Sequence, residues 1–184
     1  MLFGTVAAEL WILNLIQDIF GCEFLDFLIP KITALGNAGL IWIAAGIILL
    51  CTKKYRRGGV FLLVGLLLGL IFGNVILKNL IARPRPCWIY DVTLLIQNPT
   101  DFSFPSGHTL SSFISAFVLA RINRKFSIPA FVLAGVMAFT RMYLFAHFPT
   151  DILGGIALAY LIYLMIRKYI GDVKIVQTAK RRGK

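Results

Sequence analysis

Two stretches of the chain contain no charged residue and are long enough to cross a membrane as helices. They cover residues 32–52 and 58–77. A helix rises about 1.5 Å per residue, so about 20 apolar residues cross the roughly 30 Å of hydrocarbon in a bilayer. Both stretches are therefore predicted to be membrane-spanning helices.

Three further apolar runs are shorter, and each is bounded by charged residues or histidine. They cover residues 109–120, 126–140 and 152–166. Each run reaches spanning length when its terminal Arg or His lies at the depth of the lipid headgroups. The pattern as a whole therefore predicts an all-α, polytopic membrane helix bundle with five transmembrane helices.

The N-terminal part of the chain is interrupted by polar residues more often than a membrane span is. These interruptions are Glu9, Asn14, Gln17, Asp18, Glu23, Asp26 and Lys31. Such a pattern favours a helix that lies in the membrane interface, and a sixth transmembrane helix is the alternative. We expect one membrane-embedded domain, with an interfacial segment at 1–30, a helix bundle at 31–170 and a basic cytoplasmic tail at 171–184.

Composition and charge placement agree with a membrane protein. Of the 184 residues, 59% are hydrophobic, and the mean hydropathy of +0.83 is too high for an ordinary soluble domain. The net charge of +11 would suit nucleic acid. However, most basic residues fall in segments 53–57, 121–125 and 167–184, which the positive-inside rule assigns to the cytoplasm. We therefore expect a multi-pass protein of the cell membrane, with the bilayer and not nucleic acid as its partner.

The remaining cations fall on the extracytoplasmic side, and three of them can form a phosphate site. Lys78 and Arg85 flank the end of the second span, and Arg141 follows the fourth. The planar fork of arginine donates parallel hydrogen bonds to phosphate oxygens, and Pro84 and Pro86 stiffen the segment around Arg85. For Lys78, Arg83 or Arg85 taken alone, the alternative is that the cation anchors the helix end at the headgroups.

A small turn before the third span is typical of a helix start that binds an anion. Ser106 can cap the helix, and Gly107 lets the backbone approach a ligand closely. Free backbone N–H groups and the helix dipole favour phosphate there. A plain helix cap explains Ser106 and Gly107 equally well. His108 adds chemistry, because an imidazole beside a phosphate can protonate the departing oxygen.

The other of the two histidines, His147, lies four residues before Asp151. Pro149 suits the first turn of a helix that begins near Thr150, so His147 and Asp151 are expected to bracket that helix start. A carboxylate bonded to one ring nitrogen leaves the other nitrogen free to attack phosphorus. A single histidine at this boundary would more often be structural, and Asp151 alone is as likely to be an acid that favours the helix start. The prediction therefore depends on their combination with the cations.

Metal and cofactor sites are not indicated by the sequence. Two histidines and three scattered cysteines show no metal-site spacing. We therefore expect a site without metal or cofactor, in which lysine and arginine supply the positive charge.

Together these residues resemble the three-part signature of the type 2 phosphatidic acid phosphatase superfamily, which also includes vanadium haloperoxidases. The parts are Lys78 with Arg85 and Pro86, then the segment 105–108, then Arg141 with His147 and Asp151. The resemblance spans residues 78–151 and is highly specific as an ordered pattern. The membrane branch of that family commonly has six helices, which differs from the five predicted here.

The resemblance implies a role for each matched residue. His147 would form a phosphohistidine, Asp151 would orient it, and His108 would protonate the leaving group. The phosphate oxygens would be held by Lys78, Arg85, Arg141 and the backbone of Ser106 and Gly107.

The expected activity is metal-independent hydrolysis of a phosphomonoester or diphosphate of a membrane lipid. Phosphatidic acid, phosphatidylglycerophosphate and undecaprenyl diphosphate are all compatible with the resemblance. A phosphotransferase, which would pass the phosphoryl group to a lipid or sugar alcohol, is the first alternative. A haloperoxidase fits poorly with deep membrane embedding. A transporter would need more polar groups near the middle of the bilayer than Asn37, Asn74 and Ser115 provide.

Overall fold

The computed structural model describes residues 2–169, and all of their regular structure is helical. The elements are α1 (Leu2–Phe20), α2 (Glu23–Leu35), α3 (Leu40–Cys51), α4 (Arg56–Gly69), α5 (Lys78–Ile81), α6 (Pro86–Ile89), α7 (Gly107–Ile122), α8 (Arg124–Tyr143) and α9 (Pro149–Tyr169). The prediction of an all-α fold is thus confirmed. The predicted basic tail at 171–184 lies outside the described residues.

Three helical segments among residues 2–169 are long and apolar enough to cross a membrane. They are Arg56–Ile89, α8 and α9, and the bent pair formed by α2 and α3 is a fourth if it is counted as one span. Large apolar side chains such as Leu67, Ile128 and Leu161 are exposed on the outer surface, as expected for helices that face lipid. Five spans and an interfacial segment at 1–30 stay predictions.

The first predicted span is broken near its beginning. A single 3₁₀ turn at Asn37–Gly39 separates α2 from α3, and the two helices are bent by 43°. Ala38 and Gly39 have φ values of 52° and 70°, which lie in the left-handed region. The run at 32–52 hid this bend because its composition is apolar throughout. The break contacts α7, and α3 does so as well through Trp42, whose Nε1 donates to Ser112 Oγ at 3.0 Å.

The second predicted span passes through α4, a π-helical segment at Leu70–Leu77, and α5. Small residues let it approach α7: a Cβ placed on Gly69 would lie 2.7 Å from Ile114 Cδ1. The span ends at Ala82, whose φ of 47° turns the chain and whose N–H donates to Lys78 O at 2.9 Å. The cations on both sides of this turn therefore face the same end of the bundle.

Helix α7 lies at the centre of the bundle, packed between α4, α8 and α9. Its Leu110 and Ile114 form a buried cluster with residues of α9. At its C-terminal end, Asn123 donates to Tyr55 Oη at 3.3 Å, so the two predicted basic loops meet there. The start of α7, the end of α8 and the start of α9 lie at the opposite end, where the predicted site residues are found.

Candidate functional site

A cavity of about 980 Å³ opens at the end of the bundle where α7 begins. The predicted site residues that line it are Lys78, Arg85, Gly107, His108, Arg141 and His147. The other two predicted residues, Ser106 and Asp151, are fully buried. Residues that are up to 69 positions apart in sequence, from Lys78 to His147, thus face one space.

Arg85 is buried in the wall of this cavity and held by several hydrogen bonds. Its Nη1 donates to Ala146 O at 2.7 Å, and its Nε donates to Asp101 O at 2.7 Å. Its Nη1 also lies 3.2 Å from His147 Nε2. The guanidinium is therefore fixed directly beside one nitrogen of the histidine ring.

Lys78 and Arg85 share the carboxylate of Asp101. Arg85 Nη2 donates to Asp101 Oδ1 at 2.6 Å, and Lys78 Nζ forms an ion pair with Asp101 Oδ2. Partial burial acts to raise the pKa of Asp101, but the hydrogen bonds and charges of Lys78 and Arg85 outweigh it and lower the pKa to about 2. Asp101 is consequently an anion at any physiological pH.

Arg141 reaches the cavity from the last turn of α8. Its Nη1 donates to Thr33 Oγ1 of α2 at 2.8 Å. Its Nε is buried, and no hydrogen-bond partner for it is found within residues 2–169. A buried donor without a partner is costly, and an anion in the cavity would satisfy it.

His147 is buried between Arg85 and the start of α9. Its Nδ1 lies 3.4 Å from Ser103 Oγ and 3.6 Å from Asp151 Oδ2. Because arginine can only donate, the contact of Arg85 with Nε2 favours the tautomer that carries its hydrogen on Nδ1. Burial lowers the pKa of His147 well below its ordinary value, and the charges of Arg85, Arg141 and Lys78 lower it further. The imidazole is therefore neutral.

Asp151 is held by donors on both carboxylate oxygens. Oδ2 accepts from Phe148 N at 2.8 Å and from Ser103 Oγ. Oδ1 accepts from Arg83 Nη1 at 2.6 Å. The 3.6 Å separation from His147 is longer than a hydrogen bond, so the hydroxyl of Ser103 lies where it can connect the histidine to the carboxylate.

Arg83 ties this carboxylate to α1. Its other terminal nitrogen forms an ion pair with Glu9, and its guanidinium lies 4.1 Å from the ring centre of Phe148. Glu9 Oε1 in turn accepts from Thr150 N at 3.0 Å, where a negative charge suits the start of α9. The N-terminal helix therefore contributes a side chain to the support of Asp151.

His108 lies in the first turn of α7 on the other side of the cavity. Its Nε2 lies 3.1 Å from Asn37 Oδ1 in the break between α2 and α3. The approach is close, since a Cβ on Gly36 would lie 2.7 Å from His108 Cδ2. His108 thus faces an amide oxygen, whereas the neighbours of His147 are an arginine, a serine and a carboxylate.

The predicted cap of α7 is confirmed. Ser106 Oγ accepts from Thr109 N at 3.5 Å, while its own N–H donates to Asp151 O at 3.2 Å. This bond commits the N–H of Ser106 to the protein, which leaves Gly107 as the backbone position that lines the cavity. Gly107 needs its small size, because a Cβ there would lie 2.9 Å from Asn74 Oδ1.

Sequence reasoning did not single out several residues that build the site. These are Glu9, Thr33, Asp101 and Ser103, while Arg83 was considered only as a headgroup anchor and Asn37 only as part of a transport path. Asp101 and Ser103 had a local signal, since they are polar residues just before the predicted helix start. Glu9 and Thr33 had none, because only the packing of α1 and α2 brings them to the cavity.

The sequence of this chain is similar to those of several known proteins. The model of the PAP2 superfamily matches residues 58–174. An undecaprenyl-diphosphatase of Sulfolobus acidocaldarius is 31% identical over 117 residues, which are 62% of this chain and 56% of that protein. Phosphatidylglycerophosphatase B of Bacillus subtilis is 33% identical over 126 residues, which are 60% of each chain.

The fold of this chain is also similar to that of a solved structure. The transmembrane PAP2 type phosphatidylglycerolphosphate phosphatase of Bacillus subtilis superimposes with a TM-score of 0.73 at 26% identity, over 91% of this chain and 86% of that one. By contrast, the sequence matches extend over less than two thirds of the two relatives named above. The family model covers more than half of the chain and includes every residue of the ordered signature. The chain therefore belongs to the PAP2 superfamily, as the resemblance implied.

Proposed function

We propose that this chain is a metal-independent phosphatase of membrane lipids that works through a phosphohistidine on His147. The observation that carries the proposal is the orientation of His147. Its Nδ1 faces Ser103 and Asp151, while its Nε2 lies 3.2 Å from Arg85 in a cavity that Lys78 and Arg141 also line. A neutral imidazole held in this way carries its lone pair on Nε2, and this lone pair can attack phosphorus once the N–H of Arg85 turns from Nε2 to a phosphoryl oxygen.

The first step forms a bond between Nε2 and phosphorus and breaks the bond between phosphorus and the oxygen of the leaving group, which is a lipid alcohol for a monoester and a lipid monophosphate for a diphosphate. Lys78, Arg85 and Arg141 bind the equatorial oxygens, where negative charge is spread in the transition state. The departing oxygen takes its proton from His108. Burial and the charges of the three cations lower the pKa of His108 to about 3, so the proton arrives with the substrate, whose negative charge raises that pKa again. Asp151 stabilises the positive charge that develops on the imidazole of His147.

The second step reverses these roles with water as the nucleophile. His108, now neutral, accepts a proton from the attacking water. The bond between phosphorus and Nε2 breaks, and its electron pair returns to His147. Inorganic phosphate then leaves the cations, and the resting state is restored.

The substrate is a lipid because one wall of the cavity is apolar. Ile43 of α3 and Leu63, Leu66 and Leu70 of the following span line it beside the cations. Headgroup and chain can therefore be bound in one continuous space. We infer a phosphomonoester or diphosphate, with phosphatidic acid, phosphatidylglycerophosphate and undecaprenyl diphosphate as the candidates, and a kinetic comparison of the three ranks them.

The covalent intermediate is the direct test. Purified protein is mixed with ³²P-labelled phosphatidic acid, quenched without acid so that a phosphohistidine survives, and digested for peptide mapping. We expect label on His147 and none in His147→Ala. Label on a serine or an aspartate would contradict the proposed nucleophile.

Metal independence has its own test. Three cations already supply positive charge to the transition state, so chelators should leave activity unchanged and vanadate should inhibit by taking the place of the phosphoryl group. Activity that is lost with chelator and restored by magnesium would require a different mechanism.

The cavity is proposed to open on the extracytoplasmic side. After replacement of the native cysteines, Asn98→Cys in the exposed loop beside the cavity should react with a membrane-impermeant thiol reagent in intact cells. Lys54→Cys, in the basic loop at the opposite end, is the matched control and should react only after lysis. The reverse result would invert the orientation.

A further inference from the structure

Asp101 contacts two of the three cations that are proposed to bind phosphate. Its Oδ1 accepts from Arg85 Nη2 at 2.6 Å, and its Oδ2 is paired with Lys78 Nζ. The side chain of Asp101 is 56% exposed, whereas those of Lys78 and Arg85 are 6% and 3% exposed. A carboxylate from the loop at the mouth of the cavity thus reaches inwards to buried donors.

These donors are the ones that a phosphoryl group needs. Arginine and lysine bind carboxylate and phosphate oxygens through the same charge-assisted N–H geometry. An N–H that points at Asp101 cannot at the same time point at a phosphoryl oxygen, and the two anions repel each other. The low pKa of Asp101 means that this repulsion persists throughout the physiological pH range.

The carboxylate could instead be needed only to hold Arg85 in place, but other bonds already do so. Arg85 Nη1 donates to Ala146 O, and its Nε donates to the main-chain oxygen of Asp101. Both acceptors are backbone atoms that remain when the side chain of Asp101 changes. The orientation of Arg85 therefore does not depend on the carboxylate.

We propose that the Asp101 carboxylate is an internal competitor of the phosphoryl group for Lys78 and Arg85, and that it speeds the release of product phosphate. The inference rests on the proposed function, because it assumes that these cations bind phosphate. When phosphate binds, the carboxylate swings away from the two donors. When phosphate leaves, the carboxylate returns to them and hinders rebinding.

The test asks whether a variant without the Asp101 carboxylate binds phosphate more tightly than wild type. Damage to the fold would weaken binding and could not produce this result. Asp101→Asn removes the charge and keeps the shape. The inhibition constants of inorganic phosphate and vanadate are measured against hydrolysis of p-nitrophenyl phosphate. We expect both constants to fall about tenfold, the size expected when a charge-assisted hydrogen bond no longer has to be broken.

Two further variants separate competition from general electrostatics. Asp91→Asn removes the same charge from an exposed position of the same loop, and its inhibition constants should stay within about twofold of wild type because exposed charges are well screened. Asp101→Glu restores the carboxylate, so its inhibition constants should return towards those of wild type.

If Asp101→Asn turns over too slowly for inhibition constants to be measured, isothermal titration calorimetry gives its affinity for phosphate directly. Unchanged or weaker phosphate binding by Asp101→Asn would overturn the inference, and equal gains in Asp91→Asn would do so as well. If wild-type protein neither hydrolyses a lipid phosphate nor binds vanadate, the proposed function fails and the inference falls with it. If wild type does both and Asp101→Asn shows no gain, the inference alone fails.

Discussion

The two histidines face the same cavity but differ in burial and in the groups beside their ring nitrogens. His147 is buried, with Arg85 on one ring nitrogen and Ser103 and Asp151 near the other. His108 is half-buried, and its Nε2 lies 3.1 Å from the amide oxygen of Asn37. An amide oxygen accepts a hydrogen bond without the full charge of a carboxylate.

This difference matches two different tasks. A nucleophile must be neutral, must present one nitrogen, and must tolerate the positive charge that develops on its ring, which a nearby carboxylate stabilises. A group that donates and recovers a proton needs to change its charge easily, and a strong carboxylate partner would resist that change. The comparison supports the proposal that His147 carries the covalent chemistry and that His108 transfers the proton, and the two roles can be tested separately.

The largest effect is expected for the nucleophile itself. His147→Ala should lower kcat by at least about 10⁴-fold on both phosphatidic acid and p-nitrophenyl phosphate, because both reactions need the bond to Nε2. Ser127→Ala, at the opposite end of the bundle, is the control for handling and folding. Substantial turnover of either substrate by His147→Ala would contradict the proposal that His147 is the nucleophile.

His108→Ala should separate the two substrates. Loss of a general acid should cost about 10²- to 10⁴-fold for a lipid alkoxide leaving group and much less for an activated aryl phosphate. The measurement is the ratio of kcat values for phosphatidic acid and p-nitrophenyl phosphate. An equal loss on both substrates in a folded protein would mean that His108 binds phosphate or shapes the site instead.

Ser103→Ala should weaken the support of His147. Its hydroxyl bonds Asp151 and lies 3.4 Å from His147 Nδ1, and a hydrogen bond to a charged group is worth about 1.5–3 kcal/mol. We therefore expect kcat to fall about 10- to 100-fold on both substrates, with KM nearly unchanged. A change in KM alone would place Ser103 in substrate binding.

The smallest effect is expected at Asn37. Asn37→Ala removes a neutral hydrogen bond worth about 1 kcal/mol, so kcat for phosphatidic acid should fall about fivefold. Turnover of p-nitrophenyl phosphate should hardly change, because it needs little proton donation. Asn79→Ala is the matched control, since this exposed side chain bonds Val75 O of its own helix. An equal fall of kcat on both substrates would contradict the idea that Asn37 supports proton donation by His108.

Local signals predicted the helices and their starts well. Ser106 caps α7, and Pro149 is the first residue of α9, one residue before the predicted start near Thr150. The bend at Asn37–Gly39 was missed because the hydropathy of the segment reports burial in lipid and not the path of the backbone. The π-helical segment at Leu70–Leu77 has no known signature in composition and was missed for the same reason.

The candidate site was predictable only where the residue types themselves carry chemistry. Histidine, arginine, lysine and an ordered spacing pointed to His108, His147 and the three cations, and these do face one cavity. Glu9 and Thr33 could not be found in this way. Their partners Arg83 and Arg141 lie 74 and 108 residues away in sequence.

From sequence alone came the membrane environment, the helical class and the set of groups able to act on a phosphate. These follow from hydropathy, charge and the chemistry of side chains, which are properties of each residue or of its near neighbours. Tertiary structure alone decided how the groups are paired. It placed Ser103 between His147 and Asp151, turned Asn37 towards His108, and set Asp101 against Lys78 and Arg85. Such contacts depend on how helices pack and bend, and a distance of a few ångströms between distant residues is not encoded in any local pattern.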